Sequence, residues 1–162
     1  MGPLLVFDEY AFLSFWDHAL PLAKLPYAQA RLPLERLEAD VWRGFVLSKF
    51  FTGLLTPRIS SALARRDNTQ ALVAMWRLGL ALKRYQAAHG QYPATLADLQ
   101  KALDWKIPPD PFSGKPYVYR REGAGFLVYS VGPDMQDDGG RSQWDDKGKW
   151  HEHGDLVWRC LK

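Results

Sequence analysis

Four prolines, Pro21, Pro26, Pro33 and Pro57, cut the first third of this chain into short pieces. A proline inside a helix removes a backbone donor and collides with the preceding turn, so each one is expected to start or end a segment. Residues 8–20 and 34–55 read as the helical stretches between them. Leu34, Leu37, Val41 and Phe45 follow helical spacing, and Phe7, Tyr10, Phe15 and Leu20 do so more loosely. Packing is the first explanation for so many aromatic side chains. Short helical pieces this apolar must still be covered by something, which makes Phe15, Trp16, Phe50 and Phe51 candidates for a surface that docks on other protein subunits.

The character of the chain changes near Asn68. Asp67 or Asn68 is suited to capping a helix, with Gln70 three residues after Asp67. Leu72, Val73, Trp76 and Leu80, joined by Ala81 and Tyr85, predict an apolar stripe on a helix of five or six turns, given ~3.6 residues per turn. Lys83 and Arg84 suit its C-terminal end, where the dipole favours cations, and Gly90 supplies a left-handed stop. Thr95 and Asp98 have capping-box spacing for a second helix, whose buried side is expected to carry Leu96, Leu99 and Leu103. Pro108, Pro109 and Pro111 force an extended passage, and the run Asp110 to Gly114 is turn chemistry. Tyr117–Arg120 and Gly125–Tyr129 read as a hairpin joined through residues 122–125, with Asp155–Trp158 as a last strand. The expectation is therefore an α+β fold: a long helix packed on a small three-stranded antiparallel sheet over residues 67–162, preceded by a helical, proline-broken region over residues 1–66.

Composition narrows the function classes. With 47% hydrophobic and 14% aromatic residues the chain can build a core. Its net charge of +3 is spread over pairs such as Arg65-Arg66 and Arg120-Arg121, without the concentrated patch of a nucleic-acid binder. A bilayer-spanning helix needs ~20 mainly apolar residues. Asp8 and Glu9 interrupt the first apolar run and Lys49 the second, so no span is expected, and an anchor removed upstream stays an open alternative. The single cysteine, Cys160, gives no internal disulfide and reads as a small apolar residue.

Chemistry concentrates in residues 130–155. Asp134, Asp137 and Asp138 precede Gly139-Gly140, and Asp145, Asp146, Glu152 and Asp155 follow. Carboxylates gathered in one place repel unless something positive neutralises them, and calcium accepts carboxylate and carbonyl oxygens in flexible geometry. The spacing is not that of an EF-hand. On the residues alone, a solvated acidic loop and a cation-tied loop both fit.

The order of motifs is more specific than any one of them. A helix ending in Lys83-Arg84-Tyr85 runs into His89-Gly90-Gln91-Tyr92-Pro93, then Thr95-Leu96 and Leu99, then Asp110-Pro111-Phe112-Ser113-Gly114-Lys115-Pro116-Tyr117. Phe126-Leu127-Val128-Tyr129-Ser130-Val131-Gly132-Pro133-Asp134 follows, with Asp137-Asp138-Gly139-Gly140 and a final Gly154-Asp155. Over residues 68–158 this string resembles the C-terminal domain of the major pseudopilins of type II secretion systems. It is closer still to pseudopilin-like envelope proteins that carry the Tyr-Ser-x-Gly-x-Asp and Asp-Asp-Gly-Gly segments. The resemblance implies a non-enzymatic structural or assembly subunit, periplasmic or associated with the bacterial cell envelope, that works among other protein subunits. It also implies a structural calcium ion held by the side chains of Asp134 and Asp155 and the carbonyl of Val131, with Asp137 and Asp138 as candidates in a variable loop. The chain departs from the family by lacking an apolar anchoring helix at its start, and by a His- and Trp-rich stretch from Trp144 to His153.

Two alternatives stand beside this reading. One is a metal-independent accessory module docked through the aromatic N-terminal region. The other is a zinc-dependent hydrolase, in which His151 and His153 share a strand face with Asp155. Ser130 lacks a nucleophile elbow, and no catalytic residues are assigned.

Overall fold

The computed structural model describes residues 3–44, 52, 56–144, 147, 149 and 153–160, with backbone only at 3–8 and 44. The chain falls into two compact units, Met1–Arg66 and Asp67–Lys162. The fold is α+β, with four helices among the described residues ahead of a three-stranded antiparallel sheet.

In the first unit, α1 (Pro3–Ala23) and α2 (Tyr27–Gly44) pack on each other, and α3 (Ile59–His89) begins. Phe15, Ala19, Ala30 and Leu34 are buried almost completely, and Val41 nearly so. Tyr10 and Leu20, expected on the same side as Phe15, are exposed instead: Phe15 and Ala19 lie one turn apart and set the buried face. Helix boundaries also differ from the proline-based reading. Pro21 and Pro33 lie inside α1 and α2, and α2 begins at Tyr27, just after Pro26. Phe45 and the rest of the expected helix beyond residue 44 lie outside the described residues, except Thr52.

Charged side chains satisfy the helix ends of this unit. Glu38 accepts the backbone N–H of Ser60 at 2.8 Å and its hydroxyl at 2.7 Å, which meets an orphan donor where α3 starts. Arg66 donates to the carbonyls of Ala23 and Leu25 at 3.0 and 2.9 Å, where α1 ends. Asp67 and Asn68 are therefore not at the start of the helix: α3 begins eight residues before Asp67, at Ile59, and runs through both positions.

In the second unit α3 buries Ala71, Ala74, Met75, Leu78 and Leu82, while Leu72, Val73, Trp76 and Leu80 stay exposed. The expected stripe is therefore on the wrong side: the buried face carries Met75, Leu78 and Leu82. At Gly79 the same face comes so near β3 that an added Cβ would lie 2.9 Å from the Trp158 indole, a position that admits no side chain. Gly90, at φ 77°, ends the helix as expected, its N–H donating to the Gln86 carbonyl at 2.8 Å. The Thr95–Asp98 capping box opens α4 (Leu96–Leu103), and Leu99 is its fully buried residue.

The sheet runs β1 (Val118–Glu122), β2 (Gly125–Ser130) and β3 (Leu156–Cys160), with β2 in the centre. Every residue of β2 is buried, so both of its faces are covered and the alternation of a one-sided strand is absent. Tyr119 donates its hydroxyl to the Pro93 carbonyl at 2.8 Å, tying β1 to the chain that leaves α3. Ser130 pairs with Leu156, so the long polar connection starts and finishes at one end of β2.

Gly79→Ala is expected to lower the urea midpoint. Alanine favours a helix by ~1 kcal/mol over glycine, but forcing a methyl into a packed contact costs ~1–3 kcal/mol. In a Trp158→Phe background the collision is relieved and the same change is expected to stabilise, a reversal of sign that a double-mutant cycle reads directly.

Candidate functional site

Two buried carboxylates organise the end of β2 where the acidic loop begins and returns. Asp155 stands just before β3 with none of its surface exposed. One of its oxygens accepts the backbone N–H of Gly140 at 2.7 Å and the other that of Asp138 at 3.3 Å. Its own N–H donates to the Arg141 carbonyl at 2.7 Å, and its carbonyl accepts from the N–H of Gln143 at 3.2 Å. Four bonds thus clamp residues 138–143 to the head of the last strand.

Glycine makes this approach feasible at two positions. Gly140 has φ 83°, and a Cβ there would meet Leu127 at 2.7 Å; Gly154 has φ 134°, and a Cβ would meet the Gln143 nitrogen at 2.9 Å. Burial pushes the Asp155 carboxyl above the ordinary aspartate value. The two N–H bonds pull it back, and the charges of Asp137 and Asp138 push it up again.

The other expected residues surround this clamp. Asp137 accepts the Tyr129 hydroxyl and the N–H of Gly139, both at 2.9 Å. Burial, then this bond, pushes the Tyr129 phenol up to about 12. Asp138 pairs one oxygen with Arg141 at 3.1 Å, and its other oxygen is buried with no hydrogen-bond partner among the described residues. Asp134 accepts from the N–H of Gln136 at 3.2 Å and of Gly154 at 3.4 Å, and His153 Nδ1 lies 3.4 Å from it. Val131 is buried where β2 ends. The structure therefore brings Asp137, Asp138 and Asp155 into one electrostatic cluster and sets Asp134 against the residue before Asp155.

The donor set meets a metal's requirements only in part. Among the described residues no group of three or more acidic, histidine or cysteine side chains could hold an ion, and both oxygens of Asp155 already face N–H donors. Among the side-chain oxygens of Asp134, Asp137, Asp138 and Asp155, the buried Asp138 oxygen without a hydrogen-bond partner is the one that asks for a further positive partner. His153 faces Asp134 while Asp155 faces Gly140, and His151 lies outside the described residues.

The second carboxylate, Asp110, is one that sequence reading assigned only to a turn. It is 1% exposed. It accepts from the Ser130 hydroxyl at 2.7 Å, the Ser113 hydroxyl at 2.8 Å and the N–H groups of Phe112 and Ser113 at 3.2 and 3.3 Å. Ser130 is thus a buried joint between two loops, its oxygen also accepting the N–H of Gly132 at 3.3 Å. The available signal was the shared spacing of an acid and two serines around turn residues, which has no chemical signature of its own.

The candidate docking aromatics divide. Phe15 is 1% exposed and belongs to the packed interior of its unit, so it presents no surface. Trp16 is half-buried, edge-on to Phe12 and Phe15 at centroid distances of 6.2 and 5.5 Å. Phe50 and Phe51 lie outside the described residues.

No family model, curated protein or solved structure matches this chain.

Asp155→Ala is expected to cost ~2–4 kcal/mol, because it strands the N–H groups of Asp138 and Gly140 without acceptors in a covered site. A pH series gives a second signature. A carboxyl whose value is raised on folding holds its proton longer in the folded state, so its contribution to stability falls as pH rises from the ordinary aspartate value through the raised one. The Asp155→Ala chain is expected to lack that decline, and urea titrations across the acidic range check both effects.

Proposed function

We propose that this chain is a non-enzymatic structural or assembly subunit of the bacterial cell envelope, of pseudopilin-like design, which works among other protein subunits. The observation that carries the reading is the Asp155 clamp. The motif string that resembles pseudopilins ends in an acid at the head of the last strand, and that acid holds the loop following the Tyr-Ser-Val-Gly-Pro-Asp segment. A long helix, a short capped helix and a three-stranded meander in that order agree with it. So does the contact of Gly79 on α3 with Trp158 on β3, as expected of a helix laid on a sheet. A stabilised loop and two buried carboxylates spent on hydrogen bonds suit a module built to keep its shape. No helix among the described residues is long and apolar enough to cross a membrane.

Calcium is part of the proposal at Asp134, Asp137, Asp138 and Asp155, with the carbonyl of Val131. Two features favour it: the unpartnered oxygen of Asp138, and the repulsion that Asp137 and Asp138 exert on Asp155. When bound, the ion would neutralise this cluster. A second reading, a metal-independent accessory module, is favoured by the two N–H donors that already occupy Asp155.

Thermal melts separate the two. Extracytoplasmic calcium sites bind at ~10⁻⁴–10⁻³ M, so about 5 mM calcium is expected to stabilise the folded chain by roughly 1–2 kcal/mol, reversed by a chelator. A midpoint indifferent to both additions removes calcium and leaves the metal-independent module.

A further inference from the structure

Val73 and Leu80, which α3 leaves outside its core, border two hollows. The first, of about 340 Å³, is walled by Val73, Pro108, Pro109, Pro111 and Tyr117 and reaches Arg77. The second, of about 460 Å³, is walled by Leu80, Ala81, Leu103 and Trp105, with Arg77 at one side and Arg84 at the other. Because both include Arg77, they follow one another along the helix. From Thr69 to Arg84 the line is ~22 Å long at ~1.5 Å per residue. One wall is α3, and the other is the end of α4 with the proline passage.

Three properties of this line define what fits it. The lining is mainly apolar, and Val73 and Leu80 are 48% and 67% exposed, so the domain leaves these side chains uncovered. Its charge has one sign: Arg77 and Arg84 are present and, among the described residues, no Asp or Glu lines either hollow. Neither guanidinium forms an ion pair among the described residues. The buried hydroxyl of Tyr117 also lacks a hydrogen-bond partner among the described residues.

We propose that this line is a groove that binds an acidic, apolar segment of a partner protein, with the apolar side chains seated between α3 and residues 103–111 and carboxylates on Arg77 and Arg84. An extended chain at ~3.3 Å per residue covers ~22 Å with about seven residues. Arginine pairs bidentately with carboxylates, so two cations about two helical turns apart also fix the register of the segment. The proposal rests on the assembly reading and names the chemistry of its docking face. It does not involve the acidic loop, so the calcium melt and the groove fail independently.

The probe is a fluorescein-labelled synthetic peptide in which leucine and phenylalanine alternate with glutamate, with a control that carries lysine for glutamate. Anisotropy with the full chain, in chelator and in calcium, is expected to give saturable binding of the acidic peptide and at least about tenfold weaker binding of the basic one. Arg77→Glu with Arg84→Glu is expected to reverse that preference. Leu80→Asp is expected to weaken the acidic peptide by about tenfold or more, and circular dichroism checks that these exposed changes leave the fold intact. Absence of saturable binding, equal affinity for both peptides, or binding indifferent to the arginine changes overturns the proposal. So does a concentration-dependent dimer abolished by Leu80→Asp, which would make a second copy the occupant. Recruitment to anionic vesicles in place of the acidic peptide likewise refutes it.

Discussion

A carboxylate buried at the head of the last strand gathers two backbone N–H groups from the far side of a long polar connection, and the geometry of the sheet end follows from it. Without Asp155 the amides of Asp138 and Gly140 would have no acceptor where Gly140 packs against Leu127 and Tyr129. The cost of removing a carboxylate from water is visible in its raised proton affinity. It is offset by hydrogen bonds that belong to the ionised form, and by the backbone pairing of Arg141 and Gln143 to the same residue. Residues 138–143 of this connection are held by one acceptor placed where several donors converge.

The same principle operates once more at this end of β2. Asp110 collects donors from Phe112, Ser113 and Ser130, and Ser130 pairs across the sheet with the residue that follows Asp155. Two loops of different sequence are therefore closed over one end of β2 by buried acids. Because every residue of β2 is covered, that end is where the polar backbone must find partners within the protein. This concentration of buried polar bonds agrees with the proposal that the chain is a structural subunit.

Local signals were legible where the responsible atoms sit close together in sequence. The Thr95–Asp98 capping box, the Gly90 stop and the hairpin connection within residues 122–125 all depend on neighbours. The start of α3 was not legible at Asp67, because its cap comes from Glu38, 22 residues before Ser60. The buried face of α3 was misread because size was taken for burial. The core face combines Ala71, Ala74 and Gly79 with Met75, Leu78 and Leu82, and Gly79 lets the helix approach the Trp158 indole, while Leu72, Val73, Trp76 and Leu80 stay outside. In the acidic loop the carboxylates were readable and their partners were not, since backbone N–H groups are common to every residue and carry no letter in the sequence. That is why Asp155 could be singled out while the donors it engages could not, and why Asp110 passed for a turn residue.

Amide hydrogen exchange, read residue by residue by NMR in the presence of chelator, addresses the clamp most directly. The Gly140 amide is expected to exchange at least about a hundredfold more slowly than a free peptide, in step with the β2 amides, and to lose that protection in Asp155→Asn. Exchange of Gly140 at the free-peptide rate while β2 stays protected would contradict the account, because the carboxylate would then not be what holds the loop.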